Sequence, residues 1–219
     1  GWNGDHPLAR AKDGGVRSTE SLDAILNFKL NYQFTEWLSA NVMYAPKLWN
    51  PHVKSFSNIT QTYARDGETP TFFVPQRNSL TESYTREWYN NFRAMVNMDK
   101  TFNEVHTLGF TGGFQQEDQT NQWISAYRQI FPLPDYQQID AGNRLNEQTG
   151  ASAEHSALRS LFARATYNFD ERYLLEANIR RDASSRFAEG NRVGVFPSFS
   201  AGWRISEESF MEGSSDVID

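Results

Sequence analysis

Residues 167–205 read YNFDERYLLEANIRRDASSRFAEGNRVGVFPSFSAGWRI, and two runs inside this stretch decide the fold. Tyr173, Leu175, Ala177 and Ile179 are apolar at every second position, with Leu174, Glu176, Asn178 and Arg180 between them. A period of two places the first set on one side of an extended chain and the second on the other, which predicts a strand. In the return run Phe199, Ala201, Trp203 and Ile205 share a face, and Ser198, Ser200, Gly202 and Arg204 share the opposite one. Asp170 and Glu171 make a tight polar turn before the first run. A longer loop rich in Arg, Asp, Ser and Gly separates the two, so they predict an antiparallel pair.

The same two-faced pattern recurs outward from this pair. Leu22, Ala24, Leu26, Phe28, Leu30 and Tyr32 share a face over 21–32, after a patternless segment at 1–19 that reads as loop or as the unpaired end of an earlier segment. A short turn at 33–37 leads to Leu38, Ala40, Val42 and Tyr44, a run that Pro46 should close because proline cannot donate to a ladder. Trp88, Phe92, Ala94, Val96 and Met98 alternate with polar residues over 84–99. His106, Leu108, Phe110, Gly112 and Phe114 return after a brief turn at 100–103, and Leu161, Ala163, Ala165, Tyr167 and Phe169 mark a strand over 157–169. The segments 47–81 and 116–156 read as long loops. Connections thus alternate short and long along about seven strands, as an up-and-down meander crossing a membrane requires. An immunoglobulin-like sandwich has shorter strands with turn signals every 8–12 residues or so and does not predict that regularity.

Composition agrees. The chain has 16 Phe, 9 Tyr and 6 Trp among 219 residues, yet its mean hydropathy is −0.66. Many aromatics in a polar chain fit strands with one apolar face. No run approaches the roughly 18–20 apolar residues of a membrane helix. The absence of cysteine removes disulfides and thiolate metal sites. A net charge of −6 with no dense Lys/Arg cluster gives no nucleic-acid footprint. The chain opens at Gly1 without a leader and ends at Val217–Asp219 as another strand would begin, which reads as an internal fragment.

The order DERYLLEA at 170–177, RRDASSRF at 180–187 and FPSFSAGWR at 196–204 resembles the barrel of SusC/RagA-type TonB-dependent outer-membrane transporters. That family more often has Gly at the position of Ala183, and an aromatic residue or Thr at that of Val193 or Val195. The resemblance covers about 21–211 and is strongest after Leu158. It implies an all-β chain in which residues 1–219 form part of a barrel of about 22 antiparallel strands. It also implies that the plug domain, the TonB box and the terminal strands lie outside this stretch. It further implies location in the outer membrane, contact with its lipid, energy from TonB, a SusD-like surface lipoprotein as partner, and import of oligosaccharides or peptides. Two other readings stand beside it: a soluble all-β carbohydrate-binding module, and a TonB-dependent receptor for iron chelates.

Candidate sites divide by chemistry. Arg180, Asp182, Ser184, Ser185 and Arg186, read as one loop, offer guanidinium forks and hydroxyls to a polar ligand or partner, or serve the loop itself, with Asp182 accepting from Arg180 or Arg186 and Ser184 shaping the turn. Trp49, Trp123, Tyr127 and Tyr136, read as loop aromatics, could stack on sugars or lie under a partner lipoprotein, or pack within their loops. Tyr167, Phe169, Tyr173 and Trp203 fall near strand ends and read as membrane-interface anchors. His6, His52, His106 and His155 are scattered without ligand spacing, and Glu117 with Asp118 is too small a donor set for calcium. Gly109, Gly112 and Gly113 permit a bend or the close approach of a plug. No nucleophile with a base, acid pair or phosphate-cradling loop is legible, so neither enzymatic activity nor a cofactor is expected.

Overall fold

The computed structural model describes residues 7–211; the expected strand start at Val217 and the side chain of His6 lie outside them. A short helix, α1 (Pro7–Asp13), precedes ten strands: β1 (Gly15–Ile25), β2 (Phe28–Thr35), β3 (Leu38–Ser57), β4 (Thr60–Tyr63), β5 (Pro70–Val74), β6 (Ser79–Phe102), β7 (His106–Gln129), β8 (Asn143–Phe169), β9 (Tyr173–Ser184) and β10 (Val193–Trp203). The main sheet runs β1-β3-β6-β7-β8-β9-β10 with β2 also on β3, and β4 pairs only with β5. This is the antiparallel meander that the alternation predicts. No helix among the described residues is long and apolar enough to cross a membrane.

Several boundaries differ from the sequence reading. The loop expected at 1–19 contains α1 and the first part of β1. The single strand expected at 21–32 is two, parted at Leu26 and Asn27, and β3 passes through Pro46 and Pro51 rather than ending. One residue explains both. The register Phe28↔Tyr44 brings Leu26 opposite Pro46, which accepts from the Leu26 N–H at 3.0 Å but has no N–H to return. The partner strand therefore breaks while the proline strand continues. The loops expected at 47–81 and 116–156 shrink to 58–78, which holds the β4–β5 hairpin, and 130–142, which holds a 3-10 turn at Ile139–Ala141. Segments such as QQEDQTNQ at 115–122 are strand without an apolar face, so they carry no period to read. β9 extends to Ser184, and Ile205 leaves β10 for a 3-10 turn.

The chain divides into two compact units. One comprises residues up to Ala24, Leu48–Trp88 and Thr120–Glu154. Its core is Phe56, Leu80 and Phe131, with Ile139 and Ala141 against it, and the two phenylalanine rings meet edge-on at 5.6 Å. The loop at 130–142 is held by two polar side chains. Buried Asn78 donates to the Phe131 carbonyl at 2.9 Å and accepts from its N–H at 2.7 Å. Arg128 donates to the carbonyls of Ile139, Asp140 and Gly142 at 3.3–3.4 Å and pairs with Glu147 at 3.0 Å.

The other unit comprises Ile25–Lys47, Tyr89–Gln119 and the chain from His155 on, and holds the tight turns. Asn103 and Glu104 (φ 49° and 63°) and Asp170 and Glu171 (φ 52° and 53°) both have the paired positive φ of type I′ hairpins, whose twist matches that of the flanking strands. Backbone bonds join the turns: Asp170 N–H to Val105 carbonyl at 2.7 Å, Asp99 to Trp37 at 2.9 Å and Arg204 to Arg172 at 2.8 Å.

The Asn78 bonds lead to a test. Asn78→Ala leaves the Phe131 N–H and carbonyl buried without partners, a loss of about 1–3 kcal/mol. Amide exchange over 130–142 should quicken while that of β9 and β10 stays unchanged.

Candidate functional site

The register of the last three strands fixes two faces. Opposite Leu161, Ala163, Ala165, Tyr167 and Phe169 of β8 stand Arg181, Ile179, Ala177, Leu175 and Tyr173 of β9. β10 adds Pro197, Phe199, Ala201 and Trp203 opposite Ile179, Ala177, Leu175 and Tyr173. Alternation sends all of these side chains to one side. Leu161, Leu175, Ile179 and Phe199 are exposed there, Phe199 at 81%.

The opposite face is a polar wall. Arg164 pairs with Glu176 at 2.6 Å, and Asn178 donates to the same carboxylate at 2.7 Å. Arg180 donates through Nε to both oxygens of Asp182 at 2.8 and 3.0 Å, and through Nη2 to the buried Ser160 hydroxyl at 2.8 Å. Its guanidinium lies 5.7 Å from the Phe162 ring. That ring crosses Gly113, where any Cβ would fall 2.5 Å from it, so this glycine makes room for a neighbouring strand's side chain. Asn91 Oδ1, Arg93 Nε and Asn168 Oδ1 are buried without a hydrogen-bond partner.

The five candidates at 180–186 therefore separate. Arg180 and Asp182 are strand residues, and the contacts of the wall occupy them. Ser184 ends β9, while Ser185 and Arg186 form the turn. The Ser185 N–H donates to the Ala157 carbonyl at 2.9 Å, and its hydroxyl accepts from the Ala157 N–H at 2.8 Å. Arg186 reaches Ser156 Oγ at 3.5 Å. Ser184, Arg186, Tyr89, Glu117 and Gln119 line a polar niche of about 200 Å³. It presents donors and acceptors without a paired nucleophile and base.

The aromatic candidates stand apart. Trp49 lies on β3 and Trp123 and Tyr127 on β7, so only Tyr136 is in a loop. Polar strand continuations with no period conceal this in the sequence. Trp123 leans over Gly150, where a Cβ would lie 3.0 Å from its ring, Tyr127 accepts from Gln129 at 2.6 Å, and Tyr136 is exposed. No ring contact joins any two of the four among the described residues. Glu117 and Asp118 are consecutive in β7 and point to opposite faces. No cluster of three or more metal-ligating side chains occurs among the described residues.

The anchor residues do come together. Phe169 lies 6.1 Å from Tyr173, and Tyr173 lies 6.5 Å from Trp203. The row continues through His106, whose Nδ1 is 2.8 Å from the Tyr167 hydroxyl and whose ring is 4.9 Å from Phe169. Lys100 Nζ stands 4.6 Å from the Trp37 ring and 5.2 Å from that of Phe102, a cation over two more turn-end aromatics. His106 and Lys100 escape a search for aromatics, although their places beside the turn are the available signal. Glu208, just past β10, accepts from the Tyr173 hydroxyl at 2.7 Å and Trp203 Nε1 at 3.0 Å. The Tyr173 bond first, then the Trp203 bond, hold its carboxyl below the usual carboxylate range, with Arg172 adding to them.

A carboxyl held below its unfolded value favours the folded contact above that value and loses it as pH falls through the folded one. Trp203 fluorescence should therefore be flat at neutral pH and change in a transition below the ordinary Glu range. Glu208→Gln should abolish that transition.

The comparisons with known proteins bear on the whole sheet. The family described as TonB dependent receptor-like, beta-barrel matches residues 1–211. TonB-dependent receptor P39 of Formosa agariphila is 40% identical over 123 residues, covering 53% of this chain and 11% of that protein. TonB-dependent receptor SusC of Bacteroides thetaiotaomicron is 44% identical over 84 residues, 38% of this chain and 8% of that one. Among solved structures, the RagAB peptide importer in its closed-closed state superposes with a TM-score of 0.78 at 21% identity, over 91% of this chain and 21% of that chain. This last likeness is one of fold. The chain thus spans about a fifth or less of the length of each of these three proteins.

Proposed function

The chain belongs to the TonB-dependent receptor-like β-barrel family of outer-membrane transporters, and from that premise we infer that residues 1–219 are part of a barrel domain whose intact protein imports oligosaccharides or peptides. TonB energises the import, and a SusD-like surface lipoprotein works with the barrel at its outer mouth. The observation that carries this reading is the two-faced wall. Exposed Leu161, Leu175, Ile179 and Phe199 would be a liability in water and meet lipid in a barrel, whereas the Arg164–Glu176 and Arg180–Asp182 pairs suit a polar lumen. This favours the membrane barrel over a soluble glycan-binding module. The family is one of transporters, and we assign the chain no catalytic step. On this reading the tight turns are periplasmic and the long loops extracellular.

The parent protein should require detergent for extraction and bring a stoichiometric lipoprotein with it. A protein that is soluble without detergent would overturn the reading. Depth along β9 gives a second test. Ile179 is six residues past Tyr173 of the aromatic rim, about 20 Å along the strand and about 15 Å in depth at a tilt of about 40°. Leu175, two residues from the rim, lies at about 5 Å depth by the same geometry. Ile179→Arg should cost about 2–4 kcal/mol and Leu175→Arg about 0–1 kcal/mol, read from reversible unfolding in bilayers. Equal costs would refute the lipid-facing assignment.

A further inference from the structure

The apolar face is uneven. Ala165 of β8 stands opposite Ala177 of β9, and Ala201 of β10 stands opposite Leu175. These short side chains leave the surface low, and Leu108, Tyr167, Leu175 and Phe199 rise around it, bordering an open trough of about 570 Å³. Thr166, Glu176 and Ser200 also border it, but alternation turns their side chains to the polar wall, so they contribute backbone. No charged side chain stands in the trough. Such a lining favours hydrocarbon and penalises any sugar, nucleotide or ion that would surrender its hydration there.

One end of the trough has a different character. Tyr167 belongs both to its wall and to the aromatic rim, where its hydroxyl meets His106 at 2.8 Å. Two residues further along each strand stand Phe169, Tyr173 and Trp203. The trough thus leads from an amphipathic rim into an apolar recess, and it is continuous with the surface that faces lipid. That polarity matches a molecule with a polar head and a hydrocarbon tail.

We propose that this trough seats one acyl chain of a glycerophospholipid from the periplasmic leaflet, with the headgroup at the level of the rim. The proposal rests on the membrane-barrel reading above. It distinguishes a retained lipid from the exchanging lipid around the rest of the barrel, because Leu108, Tyr167 and Phe199 contact the chain on its flanks as well as beneath it, multiplying its dispersion contacts.

The test uses the full-length protein, extracted in mild detergent and washed until bulk lipid is gone, with bound phospholipid counted by native mass spectrometry. Wild type should keep one phospholipid per chain. Ala177→Phe and Ala201→Phe fill the recess and should lower that occupancy on the order of tenfold, whereas Ala163→Phe, on the same face outside the trough, should not. Heat-modifiable gel migration establishes that each variant is folded. Wild type without retained phospholipid, or filled variants that are folded and equally loaded, would overturn the proposal while leaving the barrel reading intact. Efficient disulfide capture of a second copy by Phe199→Cys in the membrane would also overturn it, by making another barrel the occupant. A protein that needs no detergent would instead refute the barrel reading itself.

Discussion

A backbone N–H or carbonyl has no partner in hydrocarbon except another backbone group, and each one left unpaired there costs several kcal/mol. A chain that crosses lipid as strands must therefore pair every strand on both sides, and the order β1-β3-β6-β7-β8-β9-β10 does so for the inner strands by the shortest route, each bonded to the next, while β1, β2 and β10 have one partner each among the described residues. Neighbours in sequence become neighbours in space, so their turns can be two residues long at one end. The tight turns then set register, and register sets which side chains face lipid. A slip by one residue in β9 would carry Leu175 and Ile179 to the polar wall and Glu176 and Arg180 to the lipid.

The polar wall follows from the same arrangement. With the lipid-side row apolar from Tyr173 to Ile179 and Arg181 ending it, the alternate positions are free to carry charge, and they carry it in pairs that lie within or between strands, such as Arg180 with Asp182 and Arg164 with Glu176. These pairs hold side chains in fixed poses over the sheet. Arg180 illustrates the economy of this, since it also reaches Ser160 and covers Phe162, which in turn covers the bare backbone at Gly113.

What was legible in the sequence was whatever lipid demands. The alternation in β9 and β10, the turns at Asp170–Glu171 and near Asn103, and the placing of Tyr167, Phe169, Tyr173 and Trp203 near strand ends could all be read because a crossing strand imposes a period and a length. Where no lipid is met, the same strands continue without a period, and 116–129 and 143–156 read as loop although they are sheet. Trp123 and Tyr127 read as loop residues for that reason, and Arg180 and Asp182 read as loop because two arginines and an aspartate break the apolar count while leaving the backbone ladder intact. Glu208 was invisible, since its partners are brought to it only by the turn after β10.

Pro46 has a wider effect than the missing bond. By parting β1 from β2 at Leu26 and Asn27 it makes a seam in the ladder, and the pairing on each side is fixed separately. The turn at Glu36–Trp37 and the irregularity between Gln33 and Thr35 settle the alignment of β2 on β3. Gly15, set against the Phe56 carbonyl where no Cβ would fit, and the bond from the Asn58 N–H to the Gly14 carbonyl settle the start of β1. Because β3 runs unbroken through Pro46 and the Pro46 carbonyl still accepts from the Leu26 N–H, the two pairings share one partner strand, and each of them constrains the alignment of that strand.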